Sequence, residues 1–255
     1  MHTVHTIMTN LATFRVHIAP LGFEIDRIII PLKQTKADKL WLLTHDNKSE
    51  DLSAPYLEKI KKECKKLDVE IQIAYSDRLN LFSTIKAFKE IIKKEKDNYI
   101  YVNVASGSKI QAIACMMACM VLKECDNLKP FYAVPQSYAA FEGKQQSFGL
   151  KDTIPLPTYE IQVPKEKLLQ ALKIISEQKN QKITKKEMAE IADKEGIITV
   201  KAEKSNYSQA RFASLDKNII APLEHDWKFI KIEKIGRNRW IKITEEGKHA
   251  AEFLI

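Results

Sequence analysis

A chain of 255 residues, 45% hydrophobic and 29% charged, has an ordinary globular composition and room for two domains. It has no apolar run near the roughly 18 residues of a membrane span, and its first 13 residues lack the basic start and apolar core of a signal peptide, so a cytoplasmic protein with no membrane partner is expected. The net charge is +8: 22 Lys and Arg stand against 19 Asp and Glu up to Pro164 (+3), and 19 against 14 beyond it (+5), which places a polyanionic partner with the C-terminal part.

In chain order, Phe14 to Ala19 reads as a strand, and Phe23 to Gln34 has helical spacing at Ile25, Ile28, Ile29 and Leu32. A second strand, Lys39 to Thr44, precedes an amphipathic helix from Ala54 to Leu67. Val69 to Ala74 is a third strand, and Leu81 to Lys94 a helix with Ile85, Phe88, Ile91 and Ile92 inward. Tyr99 to Val104 is a fourth strand, Ile110 to Leu122 a helix rich in Ala and Met, and Lys129 to Val134 a fifth strand. This alternation predicts an α/β domain with a Rossmann-like, mostly parallel sheet covered on both faces. Ligands of such sheets bind beyond the carboxyl ends of the strands, where the strand order reverses.

Two loops are candidates for that position. Asn103-Val104-Ala105-Ser106-Gly107-Ser108-Lys109 is a small-residue turn leading into a helix. Its helix-start N–H groups lack internal partners, Ser106 and Ser108 add hydroxyls, and Lys109 adds a cation, which outlines an anion site. Glycine is scarce, seven in the chain, and Gly22 and Gly107 follow the first and fourth strands. If those strands are neighbours, Pro20-Leu21-Gly22-Phe23 faces Ser106-Gly107-Ser108-Lys109 across one crevice. Glu24 and Asp26 would repel an anion from the first loop, so phosphate belongs on the Lys109 side and a base amino group would suit Glu24. Asn103 and Ala105 complete the candidate ligand-binding set.

Other chemistries find no support. Neither a G-x-x-x-x-G-K-[ST] nor a G-x-G-x-x-G motif is present, and His17 or His45 with Ser106 or Ser108 makes no persuasive triad. Cys64, Cys115, Cys119 and Cys125 form no C-x-x-C pair, so no metal site, structural disulfide or resident cofactor is expected.

From Arg15 to about Gly149 the chain resembles the CRISPR-associated Rossmann fold (CARF) sensors. The run His17-Ile18-Ala19-Pro20-Leu21-Gly22-Phe23-Glu24-Ile25-Asp26-Arg27 looks like the first-strand signature of archaeal CARF regulators. The turn Asn103 to Lys109 is similar to the family's small-residue turn ending in lysine, although the commoner form has threonine and paired glycines where Ser106 and Ser108 stand here. The resemblance implies a homodimer binding a cyclic oligoadenylate across its two-fold axis. Some CARF proteins cleave that ligand without metal through its own 2′-hydroxyl, so a ring nuclease is the alternative, with Lys109 stabilising the transition-state phosphate. Independently, the helix Ile110 to Leu122 is apolar nearly all round, and its second face suits a partner subunit.

Residues 1–149 are therefore read as the ligand-sensing domain, with Phe141-Glu142-Gly143-Lys144 as a hairpin turn and Gln136, Ser137 and Tyr138 bordering the crevice. Residues 150–164, with Pro155, Pro157 and Pro164, read as an extended linker, and 165–255 as an α+β domain. There Glu166 to Gln178 is a helix, Thr184 opens a capping box with Glu187, and a third helix runs from Asn206 to Leu223, disturbed near Pro222. Phe229 to Ile243 alternates as two strands around Ile235-Gly236-Arg237-Asn238, and Thr244 caps a last helix. This order, and the run Arg239 to Gly247, resemble a winged helix-turn-helix. Asn206, Ser208, Gln209 and Arg211 would face double-stranded DNA from the third helix, and Lys234, Arg237 and Arg239 from the wing.

Overall fold

The computed structural model describes residues 13–47, 49–122, 127–138, 146–159, 161–236 and 238–255. The contacts divide the chain into two units, Met1–Ile161 and Gln162–Ile255.

The first unit is built on a six-stranded sheet in the order β3-β2-β1-β4-β5-β8. Its strands are β1 (Arg15–Pro20), β2 (Lys39–His45), β3 (Glu70–Ser76), β4 (Tyr99–Asn103), β5 (Leu128–Val134) and β8 (Asp152–Pro155). The first five are mutually parallel, and β8 runs antiparallel to β5. Helices α1 (Asp26–Thr35), α2 (Ala54–Leu67), α3 (Leu81–Lys94) and α4 (Lys109–Val121) connect the parallel strands. Ile28, Ile29 and Leu32 of α1 share a core with Ile60 and Cys64 of α2 and with Leu40 and Leu42 of β2, while α3 and α4 pack together. Burial of each large aliphatic side chain stabilises the sheet by about 1.5–3 kcal/mol. The short ribbon of β6 (Ser137–Tyr138) and β7 (Ser147–Phe148) follows β5; the turn expected at Phe141 to Lys144 lies outside the described residues.

The segment expected as a linker from Leu150 differs. Residues Asp152–Pro155 add the edge strand β8, with Tyr132 opposite Ile154. Its prolines suggested a linker, yet proline is tolerated at the edge of a sheet, where one side of the strand needs no N–H donors.

The second unit has α5 (Glu166–Ser176), β9 (Lys182–Thr184), α6 (Lys185–Lys194), α7 (Tyr207–Leu215), β10 (Ile230–Ile235), β11 (Asn238–Ile243) and α8 (Glu245–Leu254). Thr184 and Glu187 form the expected capping box of α6. Helical backbone continues past α7 through Pro222 to Asp226, but with i→i−5 bonds such as Ala221 N–H to Asp216 O and Trp227 N–H to Pro222 O. Pro222 has no N–H to give, and the wider turns absorb the missing bond. Strand β9, unforeseen because three residues carry no readable alternation, pairs with β11 and gives the sheet order β10-β11-β9. Its inner face, Ile183, Ile230, Ile241 and Ile243, packs on Leu172, Met188, Leu215 and Ile219.

Candidate functional site

At the carboxyl edge of the first sheet, β1 lies directly beside β4. The chain leaves β1 toward β2 and leaves β4 toward β5, so the order reverses between them, and the loops after β1 and β4 meet there. Their approach requires two glycines. A Cβ on Gly22 would lie 2.8 Å from the Gly107 nitrogen, and one on Gly107, whose φ is +76°, would lie 2.3 Å from Pro20 Cβ. Ser106 Oγ donates to the Pro20 carbonyl at 2.7 Å and stitches the loops together.

Helix α4 starts at this junction. Ser108 is its N-cap and Gln111 closes a capping box: Gln111 N–H donates to Ser108 Oγ at 3.1 Å, and Ser108 N–H to Gln111 Oε1 at 3.0 Å. The N–H groups of Lys109 and Ile110 have no intrahelical acceptor. The first turn holds no carboxylate, Lys109 is exposed, and buried Gln111 Nε2 has no partner among the described residues. A surplus of donors and positive charge gathers at one turn, which suits an anion. Arg78, in the loop after β3, also belongs here: its carbonyl accepts from Ser108 Oγ at 3.1 Å, its N–H donates to His45 Nδ1 at 3.4 Å, and Nη2 donates to the Glu50 carbonyl at 3.3 Å. One arginine thus ties the loops after β2 and β3 to the start of α4, a role that no local pattern around Arg78 announces.

In the second unit, Asn206 at the N-cap of α7, Ser208, Gln209 and Ala213 along it, and Lys217 in the wider turns that follow are exposed. The ribbon of β10 and β11 places Lys234 opposite Arg239, both exposed. Arg239 and Asn238 share a hollow of about 540 Å³ with Lys185 and Lys186 at the start of α6 and with Phe212 of α7. Ribbon, α6 and α7 thus flank one recess of mixed charge, because Glu187 and Glu190 line it as well.

Residues 167–255 match the model of the "DUF6293 C-terminal winged helix domain", and residues 15–138 that of "HFX_2341_N:-like, N-terminal". The chain joins an HFX_2341_N-like N-terminal domain, built on a Rossmann-like sheet, to a winged helix. Protein MJ1513 of Methanocaldococcus jannaschii is 24% identical over 322 aligned positions, covering 94% of this chain and 96% of that protein. Among solved structures, Enterococcus italicus Csm6 bound to cyclic hexa-2'-fluoro-hexa-dAMP is similar at 13% identity and a TM-score of 0.41, over 50% of this chain and 35% of Csm6. Can2 from Sulfobacillus thermosulfidooxidans in complex with cyclic tetra-adenylate has the same identity and TM-score, over 93% of this chain and 63% of Can2. The chain therefore spans less than two thirds of either solved protein.

Within the N-terminal domain the candidates fall into two groups. Gly22, Phe23, Gly107, Ser108 and Lys109 form the accessible lip, whereas Pro20, Leu21, Glu24, Asn103, Ala105 and Ser106 are buried. Glu24 is not poised for a base: Oε1 faces Arg27 Nη1 at 3.4 Å and Oε2 accepts from Ser147 Oγ. Burial without these partners would be costly for a carboxylate, so Glu24 and Arg27 neutralise each other. Asn103 is structural as well. Pro31, inside α1, has no N–H for the carbonyl of Arg27, and Asn103 Nδ2 supplies the donor at 2.7 Å while its Oδ1 accepts from Ala105 N–H at 2.9 Å. His17 is remote from any nucleophilic role. Thr35 Oγ1 donates to the Pro31 carbonyl at 3.0 Å, so the ring gives its Nε2–H to Thr35 at 2.8 Å, and burial pushes the imidazole down to about 3. Gln146 N–H donates to the Phe23 carbonyl at 3.2 Å, which brings the base of the β6–β7 ribbon to the first loop, with Gln136, Ser137 and Tyr138 exposed on it.

Within the winged helix, Asn206, Ser208 and Gln209 are exposed as expected. Arg211 is not: its guanidinium is turned onto α6, 3.6 Å from Glu190 and 3.8 Å from Asp193, with Tyr207 Oη donating to Asp193 alongside. It braces α7 against α6 rather than facing outward. Lys217, in the wider helical turns just past α7, is an exposed cation there, and Lys186 adds charge at the start of α6, where Lys185 pairs with Asp216 at 2.6 Å. Arg237 lies outside the described residues. Among the described residues no His, Cys, Asp and Glu cluster suits a metal, Cys64, Cys115 and Cys119 are buried free thiols, and no helix is long and apolar enough to cross a membrane.

Proposed function

We propose that this chain is a ligand-responsive DNA-binding regulator whose CARF-like domain binds a nucleotide and whose winged helix binds double-stranded DNA. The observation that carries the reading is the junction of Gly22 and Gly107 at the switch point, directly under a helix start with free donors, Lys109 and no carboxylate. In this reading one ligand phosphate rests on the turn Gly107-Ser108-Lys109, and the backbone carbonyl of Arg78 fixes Ser108 beneath it. The ligand class is a cyclic oligoadenylate, from the resemblance of the two loops to CARF sensors. A ring ligand suits two copies of the chain across a two-fold axis. The outward face of α4 fits that arrangement, with Ile113 54% exposed and Ile110, Met116, Met117 and Met120 only half-buried. Phosphate contacts from the wing and the start of α6 would fix the winged helix on DNA, and Ser208 and Gln209 would reach base edges.

Calorimetry with cyclic tetra- and hexa-adenylate tests the ligand. Lys109→Ala is expected to weaken binding by roughly 10- to 150-fold, the loss of one charge-assisted bond of about 1.5–3 kcal/mol. Equal affinity in the variant overturns the placement of the phosphate. Chromatography of the same mixtures separates sensor from enzyme, because linear oligoadenylate appearing in step with protein concentration would make the chain a ring nuclease.

A further inference from the structure

Away from the crevice, the outer surface of α1 and α2 holds a groove of about 860 Å³. Its floor is apolar: Ile25, Ile29 and Ile30, from the start of α1 and the helix itself. Its lips are basic, with Lys33 on one side and Lys59, Lys62, Lys65 and Lys66 on the other. Asp26 and Glu63 are the two acids in the lining, and both are engaged. Asp26 accepts from Gly149 N–H at 2.8 Å, and Glu63 pairs with Lys66, which with Lys33 nearby holds its carboxyl below the usual range. Lys33, Lys59, Lys62 and Lys65 take part in no ion pair among the described residues.

A solvated lysine face explains the rim but not an isoleucine floor beneath it. We propose that this groove docks an acidic amphipathic helix of a protein partner. Apolar side chains at i, i+3, i+4 and i+7 would fill the floor, and flanking carboxylates would meet Lys33, Lys62 and Lys65 and also Lys59, whose ammonium lies 5.5 Å from the centre of the Tyr56 ring. The stretch from Asp26 to Lys33 offers about 12 Å at 1.5 Å per residue, two turns of such a helix. The lining argues against nucleic acid, because it contains no aromatic ring on which a base could stack. The groove uses none of the lip residues of the switch-point crevice, so this proposal stands or falls apart from the nucleotide.

The test uses the full chain and a fluorescein-labelled synthetic helix with leucine at the four spaced positions and glutamate flanking them. A scrambled peptide of identical composition and a single-stranded oligonucleotide serve as competitors. Saturable binding of the patterned helix is expected. It should fall about tenfold or more in Lys59→Glu/Lys62→Glu, whose side chains are exposed and whose thermal transition should be unchanged, and similarly in Ile30→Asp. Equal binding of the scrambled peptide, or displacement by the oligonucleotide with no effect of Ile30→Asp, would reduce the surface to general anion attraction and overturn the proposal. Absence of binding by the patterned helix would overturn it as well.

Discussion

Asn103 joins two elements far apart in sequence by standing in for a donor that Pro31 lacks. Removing its side chain leaves the buried Arg27 carbonyl and the Ala105 N–H unpaired, at roughly 1–3 kcal/mol for each. Asn103→Ala should therefore lower the urea midpoint markedly. Because Pro31→Ala would restore an N–H opposite that carbonyl, it is expected to recover part of the loss in the Asn103→Ala background and little in the parent; strictly additive effects in this double-mutant cycle would refute the substitution of one donor for the other. His17 gives a pH signature. Its pKa is about 3 when folded against 6.5 for the free side chain, so between those values the unfolded chain binds the extra proton. Its stabilisation is intact above pH 6.5 and is lost as pH falls toward 3, at up to about 1.4 kcal/mol per pH unit. Denaturation at pH 7 and pH 5 should show the parent losing about 2 kcal/mol more than His17→Gln over that interval.

At the scale of elements, the meeting of the β1–α1 and β4–α4 loops depends on distance rather than on backbone freedom alone. Gly22→Ala drives a Cβ to 2.8 Å from backbone at Gly107, a clash that no rotamer relieves, whereas Gly196→Ala meets nothing within 4 Å and carries only the strain of a φ of +68°. The first should cost about 1–3 kcal/mol and also impair nucleotide binding. The second should cost about 1–2 kcal/mol and leave binding alone. Calorimetric titration of both variants decides this: normal ligand affinity in Gly22→Ala would show that the loops need not touch for the site to work. Arg211 makes the complementary point in the winged helix. Packed against Glu190 and Asp193, it sets the angle of α7, so its loss is expected to destabilise the domain before it changes which base pairs are preferred.

Across the whole molecule, charge is distributed by task. Of the cations beyond Pro164, Lys231, Lys234, Arg239 and Lys242 lie on the ribbon against one acid, Glu233. Lys234 and Arg239 stand opposite each other across a β-ribbon that offers no helix to a groove, so phosphates are their natural partners. Lys234→Ala/Arg239→Ala should weaken operator and random duplexes alike and lower the slope of log affinity against log salt by up to about two. Gln209→Ala should instead narrow the gap between operator and random DNA by roughly 1–3 kcal/mol with the slope unchanged. A full salt slope in the wing variant would assign the ribbon's charge to solubility, the ordinary use of lysine on an edge.

Local order was legible in the residues because its causes are local. The capping box at Thr184, the helices Ala54–Leu67 and Leu81–Lys94, and the small-residue turn after the fourth strand depend on groups close in sequence. Scarce glycine also pointed to Gly22 and Gly107 before their separation was known. The tertiary structure alone decided which residues near that turn are accessible. Glu24 meets Ser147, Asn103 meets Arg27, Ser106 meets Pro20 and Ser108 meets Arg78, pairs separated by 30 to 123 positions. No periodicity carries such information. The same holds for β8 and β9, which are strands because β5 and β11 offer them unpaired backbone, not because four or three residues could declare it.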